Sequence, residues 1–287
     1  MTHLRIATWN VNAFNPARAA DKLRLLELID WDVALLQEVG ASTFGTFTSA
    51  TFRGVHALPL VEDYQGAKAH GVAVLVKDGT SIAEHALIPI GESDARDDPR
   101  YRARLLHARL RVGAMELDVA SFHAPHAAAS DPEKARRFRD SKNAVYRALD
   151  AWVRARRGSG LVVGMDGNVW NDATEAMQLP PDDERYAERS FHDPAATHGL
   201  RDALLDHLRH NRPDLLERRM RLGHDPKDGA LAVTYQRSSN NHPKVNRMDR
   251  IYVSEGFVVR NVDTLYDEAL TVGSDHAMVV AELQRRD

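Results

Sequence analysis

The sequence predicts an α/β domain built on one mixed sheet or on two packed sheets. Three observations carry this expectation. Short apolar runs of strand length alternate with amphipathic helical stretches, they extend over the whole chain, and some are joined by tight turns while others need a helical crossover. No internal repeat, low-complexity tract or Gly/Ser- or Pro-rich linker interrupts them, so residues 1–287 read as one domain.

Ile6–Trp9 reads as a buried strand, and Pro16–Ile29 as an amphipathic helix with Ala19, Leu23, Leu26 and Ile29 on one face. Val33–Leu36 and Gly71–Val76 are further strands. Arg104–Val112 and Met115–Phe122 form a hairpin about Gly113-Ala114. Ser130-Asp131-Pro132-Glu133 offers capping residues with a proline in the first turn, which starts a helix. That helix runs to about Arg157, buries Phe138, Val145, Leu149 and Trp152, and ends at Gly158 and Gly160. Leu161–Met165 is a strand, and residues 170–197 are loop-like, with the acidic stretch Asp182-Asp183-Glu184. A helix follows over about Leu200–His210, where Leu200, Leu204 and Leu208 recur every four residues. Leu231–Tyr235, Arg250–Val253 and Met278–Leu283 complete the strands.

Composition narrows the chemistry. Hydrophobic residues make up 43% and charged residues 28% of the chain, the balance of a folded globular protein. The chain has no cysteine, so disulfides, thiolate metal sites and cysteine nucleophiles are excluded, and any metal must be held by oxygen or imidazole. The net charge of −3, from 38 basic and 41 acidic residues, argues against tight non-specific duplex binding, so a nucleic-acid substrate needs a local basic face. No signal-peptide pattern opens the chain and no run approaches the roughly 18 apolar residues of a membrane helix, which makes a cytoplasmic address the expectation.

The positions of the polar residues are more specific. Trp9-Asn10 ends the first strand, Gln37-Glu38 the second and Phe122-His123 a central one; Asp166-Gly167-Asn168 follows Leu161–Met165, and Ser274-Asp275-His276 precedes the last strand. Side chains at strand ends on one edge of a sheet converge and are held still, which is where α/β proteins bind ligands. Asn10, Glu38, Asp166, Asn168, Asp275 and His276 would make an oxygen-rich set with one imidazole, suited to Mg²⁺, Mn²⁺ or Ca²⁺. Taken singly, each has a plain structural reading as a turn former or helix cap. Glu38 resists it, because it sets a charge against the apolar run Leu35-Leu36, and buried charges are paired or metal-bound.

Seven motifs, in order, resemble the signatures of the endonuclease/exonuclease/phosphatase superfamily. They are TWNVN (Thr8–Asn12), LLQEV (Leu35–Val39), GVAVLVK (Gly71–Lys77), SFHAPH (Ser121–His126), GMDGN (Gly164–Asn168), RMDRIYVS (Arg247–Ser254) and GSDHAMV (Gly273–Val279). The resemblance implies a four-layer α/β sandwich of two packed mixed β-sheets flanked by helices, with the active site at one end. It implies a Mg²⁺-dependent phosphoesterase, with Mn²⁺ as an alternative ion, acting as a nuclease or phosphodiesterase by in-line attack of activated water. Glu38 would hold the metal, with Asn10 and Asp275 completing the site directly or through water. Asp166 would orient or deprotonate the water, Asn168 would bond a phosphate oxygen, and His276 would donate to the non-bridging oxygens. Asp249 would hold the His276 imidazole, unless it pairs instead with Arg247 or Arg250, and His123 would protonate the leaving oxygen.

Two departures bear on the substrate. Abasic-site endonucleases carry a tyrosine where this chain has His123, and a lysine soon after the residue matching Glu38; here Val39-Gly40-Ala41 follows. That points to the two-histidine branch. Enzymes of that branch orient the histidine with a glutamate before the third strand, where this chain reads Gln65-Gly66-Ala67-Lys68-Ala69-His70. The candidate substrate contacts are Arg104, within Arg100-Tyr101-Arg102-Ala103-Arg104, together with His126, Tyr235 and the polar loop Arg237–Arg247. Arg136-Arg137 and Arg218-Arg219-Met220-Arg221 read as solvated faces. The expected partner is a phosphate-ester substrate, nucleic acid among the candidates, with no protein partner implied. A small-molecule phosphatase of the same fold and a silent scaffold are the rival readings; a scaffold would have no reason to keep the ligand set.

Overall fold

The apolar runs pair into two six-stranded sheets stacked face to face. The structure, a computed structural model, describes residues 3–286 apart from 13, 67, 92–93, 127–129, 157–159, 170–185, 194–195, 223–231 and 240–241, and without the side chains of 50, 94, 186, 218–222 and 236–245. Among the described residues the strands are β1 (His3–Asn10), β2 (Val33–Gly40), β3 (Arg53–His56), β4 (His70–Val76), β5 (Thr80–Leu87), β6 (Leu105–Val112), β7 (Met115–His123), β8 (Leu161–Asp166), β9 (Leu200–Asp202), β10 (Tyr235–Ser239), β11 (His242–Asn246), β12 (Asp249–Ser254), β13 (Phe257–Leu265) and β14 (Met278–Arg285). The helices are α1 (Ala19–Leu28), α2 (Ala41–Ala50), α3 (Asp94–Asp97), α4 (Pro99–Arg102), α5 (Pro132–Ala155), α6 (Tyr186–His192), α7 (Ala203–Asn211), α8 (Pro213–Leu222) and α9 (Tyr266–Thr271).

The sheets run β13-β14-β1-β2-β4-β3 and β5-β6-β7-β8-β12-β9, with β10 and β11 as a separate ribbon. Each holds one parallel pair, β1 with β2 and β7 with β8, among antiparallel neighbours. Parallel strands need a crossover, and α1 and α5 supply them. Alternation along β1 sends Leu4 and Ile6 between the sheets and Ala7 and Trp9 outward beneath α1 and α2. Val145, Leu149 and Trp152 of α5 cover the second sheet from outside. The result is the expected four-layer sandwich.

Several boundaries differ from the sequence expectation. Pro16–Arg18 is a 3₁₀ turn, and α1 starts at Ala19; it buries Ala19, Lys22, Leu25 and Leu26, leaving Leu23 and Ile29 half-buried. Leu200 lies in β9, because Asp202 caps α7 by accepting from the Leu205 N–H (3.2 Å), which fixes the helix start at Ala203. Residues 186–192 are helical, and β10 begins only at Tyr235. The acidic stretch Asp182-Asp183-Glu184 and Leu231 lie outside the described residues. No helix among those described is long and apolar enough to cross a membrane.

At Gly164 the two sheets approach closely. A Cβ added at Gly164 would lie 2.8 Å from Leu35 Cβ and 2.9 Å from Thr8 Oγ1, so only glycine fits. Beside it, Gln37 Nε2 donates to Ser121 Oγ (3.2 Å), and Ser121 Oγ donates to the Leu36 carbonyl (2.8 Å), tying the two sheets with buried hydrogen bonds. These links set the ends of β1, β2 and β8 side by side.

A second buried polar group bears on stability. His56 packs on Phe44 (ring centroids 4.8 Å) and its Nε2 donates to the Val39 carbonyl (2.9 Å). Burial lowers its pKa from 6.5 to about 4, against the smaller pull of that carbonyl. The unfolded chain therefore takes up a proton that the folded one refuses, and stability present above the unfolded value drains away as pH falls towards about 4. At roughly 1.4 kcal/mol per unit this reaches about 3 kcal/mol. His56→Gln is expected to flatten the fall in urea midpoint between about pH 7 and about pH 4.5; an unchanged fall would show that His56 does not contribute.

Candidate active site

One end of the sandwich holds a polar cleft of about 230 Å³. Of the residues singled out from sequence, Glu38, His123, Asp166, Asn168, Asp275 and His276 line it, and so do Arg104, His126 and Tyr235. Asn10 and Asp249 are buried and stand behind its wall, where they touch the lining side chains. The side chains of Arg218–Arg221 and of most of the Arg237–Arg247 loop lie outside the described residues.

Glu38 reaches the cleft through an irregularity in its strand. The β2–β4 register shifts between Leu36 and Val39, and Glu38 itself adopts φ 50°. A bulge re-aims one side chain, and a left-handed glutamate is a strained choice that persists only where the surroundings dictate it. Burial, reinforced by the charge of Asp166, raises the Glu38 pKa, while His276, Arg104 and a hydrogen bond from Asn10 act the other way.

Asp166 is the hub. Its Oδ1 accepts from the Asn168 N–H (2.9 Å); its Oδ2 accepts from Asn10 Nδ2 (2.9 Å) and faces His123 Nε2 at 3.5 Å and His276 Nε2 at 3.9 Å. Asn10 gives its own carbonyl to the Asn12 N–H (3.0 Å), so its amide is spent on orienting neighbours. His276 Nδ1 lies 2.9 Å from Asp249 Oδ2. Burial alone would lower the His276 pKa, but the charges of Asp249 and Asp166 outweigh it and push it up to about 10. Its ring is therefore a cation at neutral pH, with Nε2 turned to the cleft side. Arg247 and Arg250 do not compete for Asp249: Arg247 Nη2 holds Asp202 (2.5 and 2.7 Å), and Arg250 Nε approaches the same carboxylate at 3.7 Å.

His123 is held differently. Arg104 Nη1 is 2.8 Å from its Nδ1, and a guanidinium only donates, so Nδ1 must accept and the ring proton sits on Nε2. Burial and the charge of Arg104 keep its pKa well below the usual histidine value. A ring so held is neutral and donates from Nε2. Glu38, His70 and His123 place one ligand atom each within 4.8 Å of one another. A metal-bound imidazole normally donates through its other nitrogen, which Arg104 prevents at His123, so this trio is a poor nitrogen site. Glu38 and Asp275, with Asp166 beside them, present oxygens instead. That donor set, in which the charge of Asp166 helps raise the proton affinity of Glu38, fits a hard dication.

Sequence reasoning missed the residues that brace the cleft. Asn12 (φ 54°) donates through Nδ2 to Asp275 Oδ1 (3.1 Å), and buried Lys22 donates to the Asn12 carbonyl (3.0 Å). Burial lowers the Lys22 pKa to about 8, with Asp275 and Glu38 resisting. On the other sheet, Lys142 and Tyr146 of α5 reach the carbonyls of Asn168 and Gly167. Nothing in a helical repeat marks a lysine as buried; in TWNVN the second asparagine was the one available signal.

A family model for the Endonuclease/Exonuclease/phosphatase family matches residues 7–276. The chain belongs to this family. As a family member it is a metal-dependent hydrolase of phosphate ester bonds. No curated protein sequence matches significantly. Among solved structures, TDP2 from D. rerio in complex with single-strand DNA product superposes with a TM-score of 0.65 at 15% identity, covering 99% of this chain and 100% of that one. The 3′ phosphatase NExo from Neisseria, bound to a product DNA hairpin, gives 0.64 at 22% identity over 98% and 99% of the two chains. The human nocturnin catalytic domain with bound sulfate gives 0.62 at 15% over 99% and 95%. At such identities the likeness establishes the family fold alone.

Proposed function

We propose that this family member is a Mg²⁺- or Mn²⁺-dependent nuclease that hydrolyses a phosphodiester bond in a nucleic-acid strand. The observation that carries the reading is the gathering of Glu38, Asp166, Asp275 and the Asp249–His276 pair about one cleft. Glu38 and Asp275 would hold the ion, whose charge neutralises the phosphate and favours attack on it. Asp166, oriented from both sides by Asn10 and Asn168, accepts the proton of the attacking water. His276, charged by Asp249, donates from Nε2 to a non-bridging oxygen as negative charge builds. His123 is reassigned from acid to neutral donor, and with Arg104 it binds a phosphoryl oxygen, so as water's oxygen bonds to phosphorus and the ester P–O bond breaks, the departing alkoxide takes its proton from solvent in the cleft.

A nucleic-acid substrate is supported by the cations on the cleft wall, where Arg104 and charged His276 sit beside His126 and Tyr235. The Tyr235 ring lies 4.8 Å from that of His276, placed to flank a nucleotide. The DNA products held by the zebrafish and Neisseria structures point the same way. The test is incubation with plasmid, single-stranded DNA, RNA and a nitrophenyl phosphodiester, with chelator or with Mg²⁺ or Mn²⁺ restored. Strand cleavage that disappears with chelator and returns with either ion is expected. Turnover undiminished by chelator, or none on any nucleic acid, would overturn the proposal.

A further inference from the structure

The Asp166-Gly167-Asn168 turn is gripped from behind by α5 and α6, in a way the hydrolysis itself does not explain. Asn168 has φ 47°, and its N–H donates to Asp166 Oδ1 (2.9 Å). Both carbonyls exposed by the turn are captured. Lys142 Nζ donates to the Asn168 carbonyl (2.8 Å) and Tyr146 Oη to that of Gly167 (2.7 Å).

The directions of the remaining bonds follow from donor counting. Tyr146 has one hydroxyl proton, given to Gly167, so it must accept from His192 Nε2 (2.9 Å). Burial and the nearby charges of Arg250 and Lys142 hold the His192 pKa well below its usual value, so the ring is neutral and its Nδ1 accepts from Tyr252 Oη (2.7 Å). The chain Tyr252, His192, Tyr146, Gly167 has one consistent polarity, and every member is buried. Lys142 is paired with Glu188 Oε2 at 2.7 Å, their side chains 6% and 12% exposed. A buried ion pair is a weak source of stability, since desolvation consumes most of the attraction and an apolar pair of similar volume serves as well or better. Its presence directly under a strained turn therefore calls for another reason. Lys22 makes the same contact to the carbonyl of left-handed Asn12 beneath the other sheet, so a buried ammonium under an asparagine turn occurs at both acidic walls of the cleft.

We propose that Lys142, held by Glu188, is a positioning residue for hydrolysis: with Tyr146 it locks the Gly167–Asn168 turn and so sets the orientation of Asp166 towards the attacking water. The inference rests on the catalytic reading of Asp166 given above. It requires that loosening the turn slow the chemical step while leaving binding and folding intact.

Lys142→Met alone would strand the Glu188 charge and unsettle the fold, so the informative protein is the double variant Lys142→Met/Glu188→Met, with Tyr146→Phe as an independent probe of the second carbonyl. With a nitrophenyl phosphodiester, kcat of the double variant is expected to fall roughly ten- to hundredfold, the range for losing a supporting contact, with KM, metal midpoint and Tm close to wild type. Tyr146→Phe should lower kcat in the same selective way. A folded double variant with wild-type kcat, or one in which KM and Tm deteriorate along with kcat, overturns the proposal. Asp166→Asn is measured in parallel: its inactivity upholds the catalytic reading whatever Lys142 does, whereas full activity would remove that reading and this inference with it.

Discussion

Glu38→Gln is expected to abolish metal-dependent turnover without harming the fold. The amide keeps the shape of the side chain and its place in the bulge but removes the charge that a hard cation requires. Loss of a supporting contact already costs metal sites 10- to 100-fold in affinity, so loss of a ligand charge should cost at least about 100-fold, roughly 3 kcal/mol. The consequence for stability has the opposite sign. Without metal, Glu38 is penalised by burial and by the nearby charge of Asp166. Removing its charge relieves both, so the metal-free Tm should hold steady or rise. Wild-type protein should be stabilised by added Mg²⁺ or Mn²⁺ through mass action, and the variant should not. Thermal unfolding with and without the ion, beside kcat, checks the claim. A variant that still gains Tm from the ion would show that the metal is held elsewhere.

Asp249→Asn should affect the rate as strongly by a different route. The amide can still accept from His276 Nδ1, so the ring keeps its place while losing the nearest negative charge. Asp249 and Asp166 are what raise the His276 pKa to about 10 against burial; with one gone, that pKa falls. Activity needs the protonated ring and declines as pH rises through its pKa. The alkaline limb of the pH–rate profile should therefore move to lower pH, and kcat should fall roughly 100-fold with little change in KM. An unchanged alkaline limb and kcat would return Asp249 to a purely structural role.

What could be read from the sequence depended on how each residue is used. Asn10, Glu38, Asp166 and His276 stand immediately after or before apolar runs, and a polar group in that setting betrays a strand end at a ligand site. The braces were hidden because they violate the helical pattern they occupy. Lys22 and Lys142 sit in amphipathic helices, where a lysine reads as solvated, and both are buried. That is also why the buried face of α1 was misjudged. β5 and β13 escaped notice as edge strands, the first mostly exposed and the second mostly half-buried, with register shifts at Ile82/Glu84 and Val259/Asn261 that blur the alternation. α2, ASTFGTFTSA, is rich in Ser, Thr and Gly, poor helix formers, and rests on the packing of Phe44 and Phe47. The tautomer of His123 turned on Arg104, one strand away, a partner that no linear motif reveals.

The pairing of β1 with β14 has a consequence for how the protein comes to be active. β14 lies between β13 and β1 in the interior of its sheet, and Trp9 Nε1 bonds the His276 carbonyl (3.2 Å) across 267 residues of chain. Contacts of such separation close late, because the loop entropy must be met before they give any return. Asn10 and Glu38 can take their places on early strands, but Asp275 and His276 arrive only when the final strand slots in beside the first. Without that strand β1 would present an open edge, and the Asp275 and His276 positions would be missing from the cleft. Activity is therefore expected to return during refolding only as β14 inserts beside β1, which following both in one refolding experiment would check.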